Sequence, residues 1–178
     1  TMVLDQVPRL ACAHLALVRV DGSERNALGT LLNYCDKIPI AVEQGLEPQH
    51  FFAPHHEAIY AAMLDLQSCS EEITPQSVVA RMRLQDTAGR LMAHGSESYL
   101  IDLQTDSHGP SGLADSVRAV RKGFLDRELA RIRAELERSD LPTERRDALG
   151  TDLLDRQQER DAMLCDVGPW SGARSAPI

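Results

Sequence analysis

Apolar residues recur along this chain at intervals of three and four, the period of an α-helix with one buried face. In ERNALGTLLNYC, the residues Ala27, Leu28, Leu31, Leu32 and Cys35 fall on one side. Just before it, Asp21-Gly22-Ser23 reads as a turn that places Ser23 to cap the helix. KIPIAVEQG predicts a short helix entered through Pro39 and stopped by Gly45. Pro54 opens the next helix, whose apolar stripe is His56, Ile59, Tyr60, Met63 and Leu66. ITPQSVVARMRLQ adds a helix with Thr74 as cap and Pro75 in its first turn. GSESYLIDL adds a short one, capped by Ser96, that buries Tyr99, Leu100 and Leu103. DSHGPSG then breaks the pattern between Asp106 and Gly112.

After that break the apolar stripe narrows and charge dominates. Two long helices are predicted. The first carries Val117, Val120, Phe124, Leu129, Ile132 and Leu136; the second carries Leu149, Leu153, Leu154, Met163 and Leu164. RSDLPTE joins them, with Pro142 tolerated only at the start of the second. Two long helices on a short link form an antiparallel hairpin.

The pattern therefore predicts an all-α protein: an N-terminal lead-in at 1–23, a globular multi-helix head at 24–112, a long antiparallel helical hairpin at 113–166, and a flexible tail or linker at 167–178. The expected head core is Leu28, Leu31, Phe52, His56, Ile59, Met63, Tyr99, Leu100 and Leu103. A hairpin is too thin to cover its own seam. Phe124, Leu129, Ile132, Leu136, Leu149, Leu153 and Leu154 are accordingly the expected interface with a second copy, giving a dimer or higher homo-oligomer.

Composition fits that picture. The chain has 178 residues, 43% of them hydrophobic, enough for one substantial core, and only 4% aromatic, so that core is mainly aliphatic. A net charge of −8 repels phosphates, and strong nucleic-acid binding by this chain alone is not expected. Arg127, Arg131, Arg133 and Arg138 alternate with Asp126, Glu128, Glu135 and Glu137, which suits a solvated helix face or a polar protein interface. Cys12, Cys35, Cys69 and Cys165 show no CxxC spacing, so reduced thiols and a cytoplasmic setting are expected. No apolar run reaches the roughly 18 residues of a membrane span. LACAHLALV only weakly imitates a secretory signal, without a convincing cleavage site.

Catalytic motifs are missing from the sequence. It contains no GxxxxGK[ST] phosphate loop, HExxH, GxSxG or dinucleotide fingerprint, and no cofactor is expected. The stretch HFFAPHHEAIYAAM is the place where chemistry could hide. Adjacent residues point about 100° apart on a helix, so His55 and His56 cannot easily grip one ion together. His56 lies on the apolar stripe, with His55 and Glu57 to its sides. The favoured reading is a packed, hydrogen-bonded histidine, against a metal site, a His/Cys nucleophile pair or a partner contact. His14, His50, His94 and His108 show no ligand spacing.

The segments ERNALGTLL, LEPQHFFAPHHEAIYAAMLDL, ITPQSVV, GRLMAHGSESYLIDL and VRAVRKGFLDREL together resemble the N-terminal domain of the bacterial replicative DNA helicase, the DnaB family. The matching positions are Glu24, Leu28, Gly29, Leu31 and Leu32; Pro48, Phe51 and Phe52; His56, Ile59, Tyr60, Met63 and Leu66. They continue through Gly89, Leu91, Gly95, Tyr99, Leu100, Leu103, Val120, Arg121, Arg127 and Leu129. There are departures: Ile73-Thr74 stands for the family's Ile-Asp, Gly95-Ser96 for its Gly-Gly, and QTDSHGPSGL is irregular.

The resemblance implies a helical head followed by a hairpin. It also implies pairing of hairpins into a ring-shaped collar that supports hexamer assembly and faces primase or a helicase loader in DNA replication. His56 is then a structural feature of the head. The family's ATPase motor is not in this sequence; a full-length parent, if one exists, would be an ATP-dependent DNA helicase. Three functions stay open: a non-catalytic oligomerisation and docking domain, a free-standing regulator that binds a helicase or primase, and a small enzyme with an undetected His/Cys site.

Overall fold

The computed structural model describes residues 22–85, 87–89 and 97–165, and these are helical with no strand among them. Helix α1 covers 22–33. It is followed by α2 (Ile38–Glu43), α3 (Pro54–Ser68), α4 (Pro75–Leu84), α5 (Glu97–Asp106), α6 (Leu113–Leu136) and α7 (Thr143–Cys165). Single 3-10 turns at Cys35–Lys37, Pro48–His50 and Pro110–Gly112 lead into α2, α3 and α6. Residues 1–21 of the lead-in, the Ser96 cap, the tail, Cys12, His14, His94, Leu91 and Gly95 lie outside the described residues, as do the side chains of Leu164 and Cys165.

Local chemistry explains most helix ends. Thr74 caps α4: its hydroxyl accepts from the Ser77 backbone N–H at 3.1 Å, and the Ser77 hydroxyl meets the Thr74 N–H at 2.8 Å. At the end of α2, Gly45 turns left-handed with φ of 75°; its N–H donates to Val42 O and the Leu46 N–H to Ala41 O. That arrangement closes the last carbonyls of the helix. Helix α3 ends the same way, with Ser70 at φ of 58° in the glycine position and the Glu71 N–H donating to Leu66 O. One boundary differs from expectation. Helix α1 already includes Gly22 and Ser23, so Ser23 lies within the helix and not ahead of it.

The chain forms two compact units, 1–124 and 125–178. In the first, Leu28, Leu31, Ile59, Tyr60, Met63, Leu100 and Leu103 are among the fully buried core residues. The first turns of α6 belong here as well: Leu113, Val117 and Val120 join the same core cluster. DSHGPSG thus ends a helix without ending the core. Helix α1 meets α5 with no side chain between them. A Cβ built on Gly29 would lie 1.9 Å from Leu103 O, so only glycine permits the approach.

Phe52 is a correction. It is 52% exposed, while its neighbour Phe51 is buried at 5% and packs 5.4 Å from the Tyr60 ring. The chain is extended at Phe51, so successive side chains point to opposite sides. Phe124, expected on the hairpin seam, belongs to the first unit, where its ring centroid lies 4.7 Å from that of His50.

In the second unit, Glu135 of α6 pairs with Arg145 of α7 at 3.0 Å, and Asp126 with Arg160 at 3.8 Å. Later residues of α7 meet earlier residues of α6, so the hairpin is antiparallel. Its buried residues are Leu125, Leu129, Ile132 and Leu149.

Gly29→Ala is expected to destabilise the head by about 3 kcal/mol or more, since backbone and not a flexible side chain occupies the space. A lower denaturant midpoint in urea, with unchanged slope, checks this. Tyr60 supplies an alkaline test. Burial pushes its phenol up from 10.0 to about 12. The folded state favours the neutral form, so the stability Tyr60 contributes is fully present below about pH 10 and is lost as pH rises through about 12. Phenolate absorbance should show one tyrosine ionising only as the fold is lost.

Candidate functional site

The conspicuous polar feature of the head is a buried chain of three side chains from three helices. Glu24 on α1 is 1% exposed, His56 on α3 is 0% and Tyr99 on α5 is 9%. His56 Nδ1 lies 2.7 Å from Glu24 Oε2, and His56 Nε2 lies 2.7 Å from the Tyr99 hydroxyl. Glu24 also accepts from the backbone N–H groups of Phe52 and Ala53. An ionised carboxylate only accepts, so His56 Nδ1 carries a hydrogen; in the neutral ring Nε2 then accepts from the Tyr99 O–H. Every buried polar group in this chain of bonds is thereby satisfied, which is what allows it inside an aliphatic core.

The chain of bonds reaches the surface through Tyr99. Arg25 donates to its hydroxyl at 3.3 Å and places its guanidinium carbon 5.3 Å from the ring centroid. The same guanidinium pairs with Asp106 at the end of α5 at 2.6 Å. His55 Nε2 stands 3.3 Å from the Tyr99 hydroxyl, and the His55 and His56 ring centroids are 4.3 Å apart.

The neighbouring residues of α1 continue the clamp. Asn26 Oδ1 accepts from the His108 N–H at 2.8 Å while its Nδ2 donates to Ser116 Oγ at 2.7 Å, and Asn33 Nδ2 donates to Gln104 O at 2.8 Å. Helix α1 therefore holds the whole DSHGPSG link against the head. Arg121 on α6 donates to Gln44 O at 2.7 Å and packs on Gly45, tying α6 to the end of α2.

These contacts describe a fastening. The imidazole has no free face for a substrate, and both its nitrogens are engaged. Among the described residues no three His, Cys, Asp or Glu side chains cluster as a metal site. Cys35 is half-buried and Cys69 exposed, both as free thiols. Burial pushes the Cys35 thiol up, away from the nucleophilic form. No helix is long and apolar enough to cross a membrane among the described residues.

The residues expected at a self-association surface fall into three groups. Leu129, Ile132 and Leu149 are buried within the chain, and Leu136 and Leu153 are half-buried. Leu154 is 58% exposed, and Phe124 is half-buried beside His50. Leu125 was missed by the pattern reading, although Leu125, Leu129, Ile132 and Leu136 follow a 4-3-4 spacing that would have found it. Glu24 and Arg25 were also missed as site residues. Their partners are distant in sequence, and only the capping of a loop by a glutamate could have hinted at them.

The comparisons with known proteins agree with this architecture. Residues 20–122 match the family model of the DnaB-like helicase N-terminal domain. That match spans more than half of the chain, and the chain belongs to this family. It is similar in structure to the N-terminal domain of DnaB helicase from Mycobacterium tuberculosis, with a TM-score of 0.64 and 23% identity, over 75% of this chain and 95% of that one. At that identity the likeness concerns the fold. No curated protein matches the chain.

Glu24→Ala is expected to cost roughly 3–5 kcal/mol, because it leaves His56 and two backbone N–H groups buried without an acceptor. Tyr99→Phe, which removes one hydroxyl and keeps the ring, should cost only roughly 1–2 kcal/mol. Urea melts of both variants test the ranking.

Proposed function

We propose that this chain is a non-catalytic oligomerisation and protein-docking domain of a replicative DNA helicase. It supports hexamer assembly and presents a surface to primase or a helicase loader. The observation that carries this reading is membership of the DnaB-like N-terminal family over 20–122, followed by a helical hairpin. The bonding of the buried histidine supports a structural role for the one cluster that could have been catalytic.

The hairpin is the self-association element in this reading. Leu125, Leu129, Ile132 and Leu149 hold the hairpin itself together. Leu154, Leu136 and Leu153 are among the hairpin side chains with apolar surface left for a second copy. Arg131, held by Glu128 at 2.8 Å and Glu135 at 3.7 Å, supplies a polar rim of little energetic weight.

Burying one leucine stabilises by roughly 1.5–3 kcal/mol, so losing Leu154 from an interface should weaken association by about tenfold or more. Leu154→Asp is therefore expected to move the protein toward monomer in sedimentation velocity, at tens-of-micromolar concentration, with its helical circular dichroism intact. A wild-type chain that is monomeric under those conditions would overturn the self-association reading. An Ile132→Asp change is a poor probe, because that residue is buried within a single chain.

A further inference from the structure

We propose that the second half of α7, residues 155–163, is a salt-releasable strap, held against α6 by charge where the first half is held by an apolar seam. This goes beyond the docking role above and does not rest on it, since it concerns how a single hairpin closes.

The two halves of α7 differ at the seam. On α6 the seam positions are Leu125, Leu129, Ile132 and Leu136, spaced 4-3-4. On α7 the seam opens with Leu149, which is buried, and Leu153, which is half-buried. Continued at intervals of three and four, it reaches Arg156, Arg160 and Met163. Two guanidinium groups thus stand where apolar side chains would close a hairpin, and both residues are half-buried, as seam positions are. Between 155 and 163 the apolar side chains are Ala162, which is exposed, and Met163, which is half-buried.

Opposite this half, α6 presents acids. Arg160 pairs with Asp126 at 3.8 Å. Arg131 holds the Glu128 carboxyl below its usual range, and the charge of Arg156 across the hairpin adds to that. At the other end Glu135 pairs with Arg145 at 3.0 Å, in the half that also buries Ile132 and Leu149. Leu125 and Leu129, each 1% exposed, neighbour Asp126 and Glu128 along α6 and so lie opposite the arginine half. An arginine can lay its aliphatic stem over a leucine and keep its charge at the rim.

Release strands no charge. Within α7, Arg156 has Asp152 at 3.6 Å and Glu159 at 3.5 Å, and Arg160 has Asp161 at 3.0 Å. On α6, Glu128 keeps Arg131 at 2.8 Å. A helical stretch of about ten residues is marginal in water once it loses its packing. Screening of the cross-helix pairs therefore frays this half and uncovers Leu125 and Leu129, while Leu149 keeps the first half in place.

The test is amide hydrogen exchange at one pH in about 0.1 M and about 1 M sodium chloride, where the Debye length is about 10 Å and about 3 Å. Samples are dilute enough that sedimentation velocity shows the same species in both salts. Exchange over 155–163 is expected to rise roughly fivefold or more in high salt, with 145–153 unchanged. In Arg156→Leu/Arg160→Leu the seam runs on apolar, so this half is better protected and its salt step disappears. In Arg156→Gln/Arg160→Gln the charges are gone and no seam replaces them, so exchange is fast in both salts. Wild-type exchange over 155–163 that is indifferent to salt would overturn the strap. So would a salt step spread evenly over α7, a step of full size in the leucine variant, or wild-type protection in the glutamine variant.

Discussion

The head depends on the contact between Gly29 and the Leu103 carbonyl. It sets how close α1 and α5 come, with 1.9 Å where any side chain would begin. One turn before each of these residues stand Arg25 and Tyr99, and they meet at 3.3 Å. The approach thus brings a hydroxyl from α5 within reach of an imidazole on α3, while Glu24 on α1 closes the other side of the ring. Push the two helices apart by one methyl group and the polar chain of bonds has no partners. Backbone sterics and buried hydrogen bonding are here one constraint expressed twice.

A carboxylate and an imidazole in an aliphatic core bring a desolvation cost, and a well-packed apolar set of the same volume is often at least as stable. What the polar set supplies is direction. Glu24 receives N–H groups from Phe52 and Ala53 as well as from His56. It therefore fixes the segment that enters α3, and with it the choice between Phe51 and Phe52 as the buried aromatic. An apolar side chain at position 24 would leave that choice to packing alone.

Helices were legible in the sequence because burial on one face imposes a period of 3.6 residues, and because Thr74, Pro54 and Gly45 mark ends chemically. His56 was legible as a packed residue from its place on the stripe. Phe52 was not, since it lies outside any helix, where a shift of one residue exchanges inside for outside. Phe124 meets His50 for a related reason. It was read with Leu129, Ile132 and Leu136, yet the 4-3-4 spacing belongs to Leu125. One position along a helix is about 100°, so Phe124 and Leu125 lie on different sides of α6, and it is Phe124 that meets His50. Arg25, His55 and His56 were illegible as partners of Tyr99 because they come from α1 and α3, more than forty residues away.

The division of α6 matters for how a domain of this family can work. Its first turns are core residues of the head, through Leu113, Val117 and Val120, and its later turns are half of the hairpin. No break in the helix separates the two duties, since α6 runs unbroken from Leu113 to Leu136. Arg121 and the Asn26–Ser116 bond fasten the first turns of α6 on two sides, to the end of α2 and to α1.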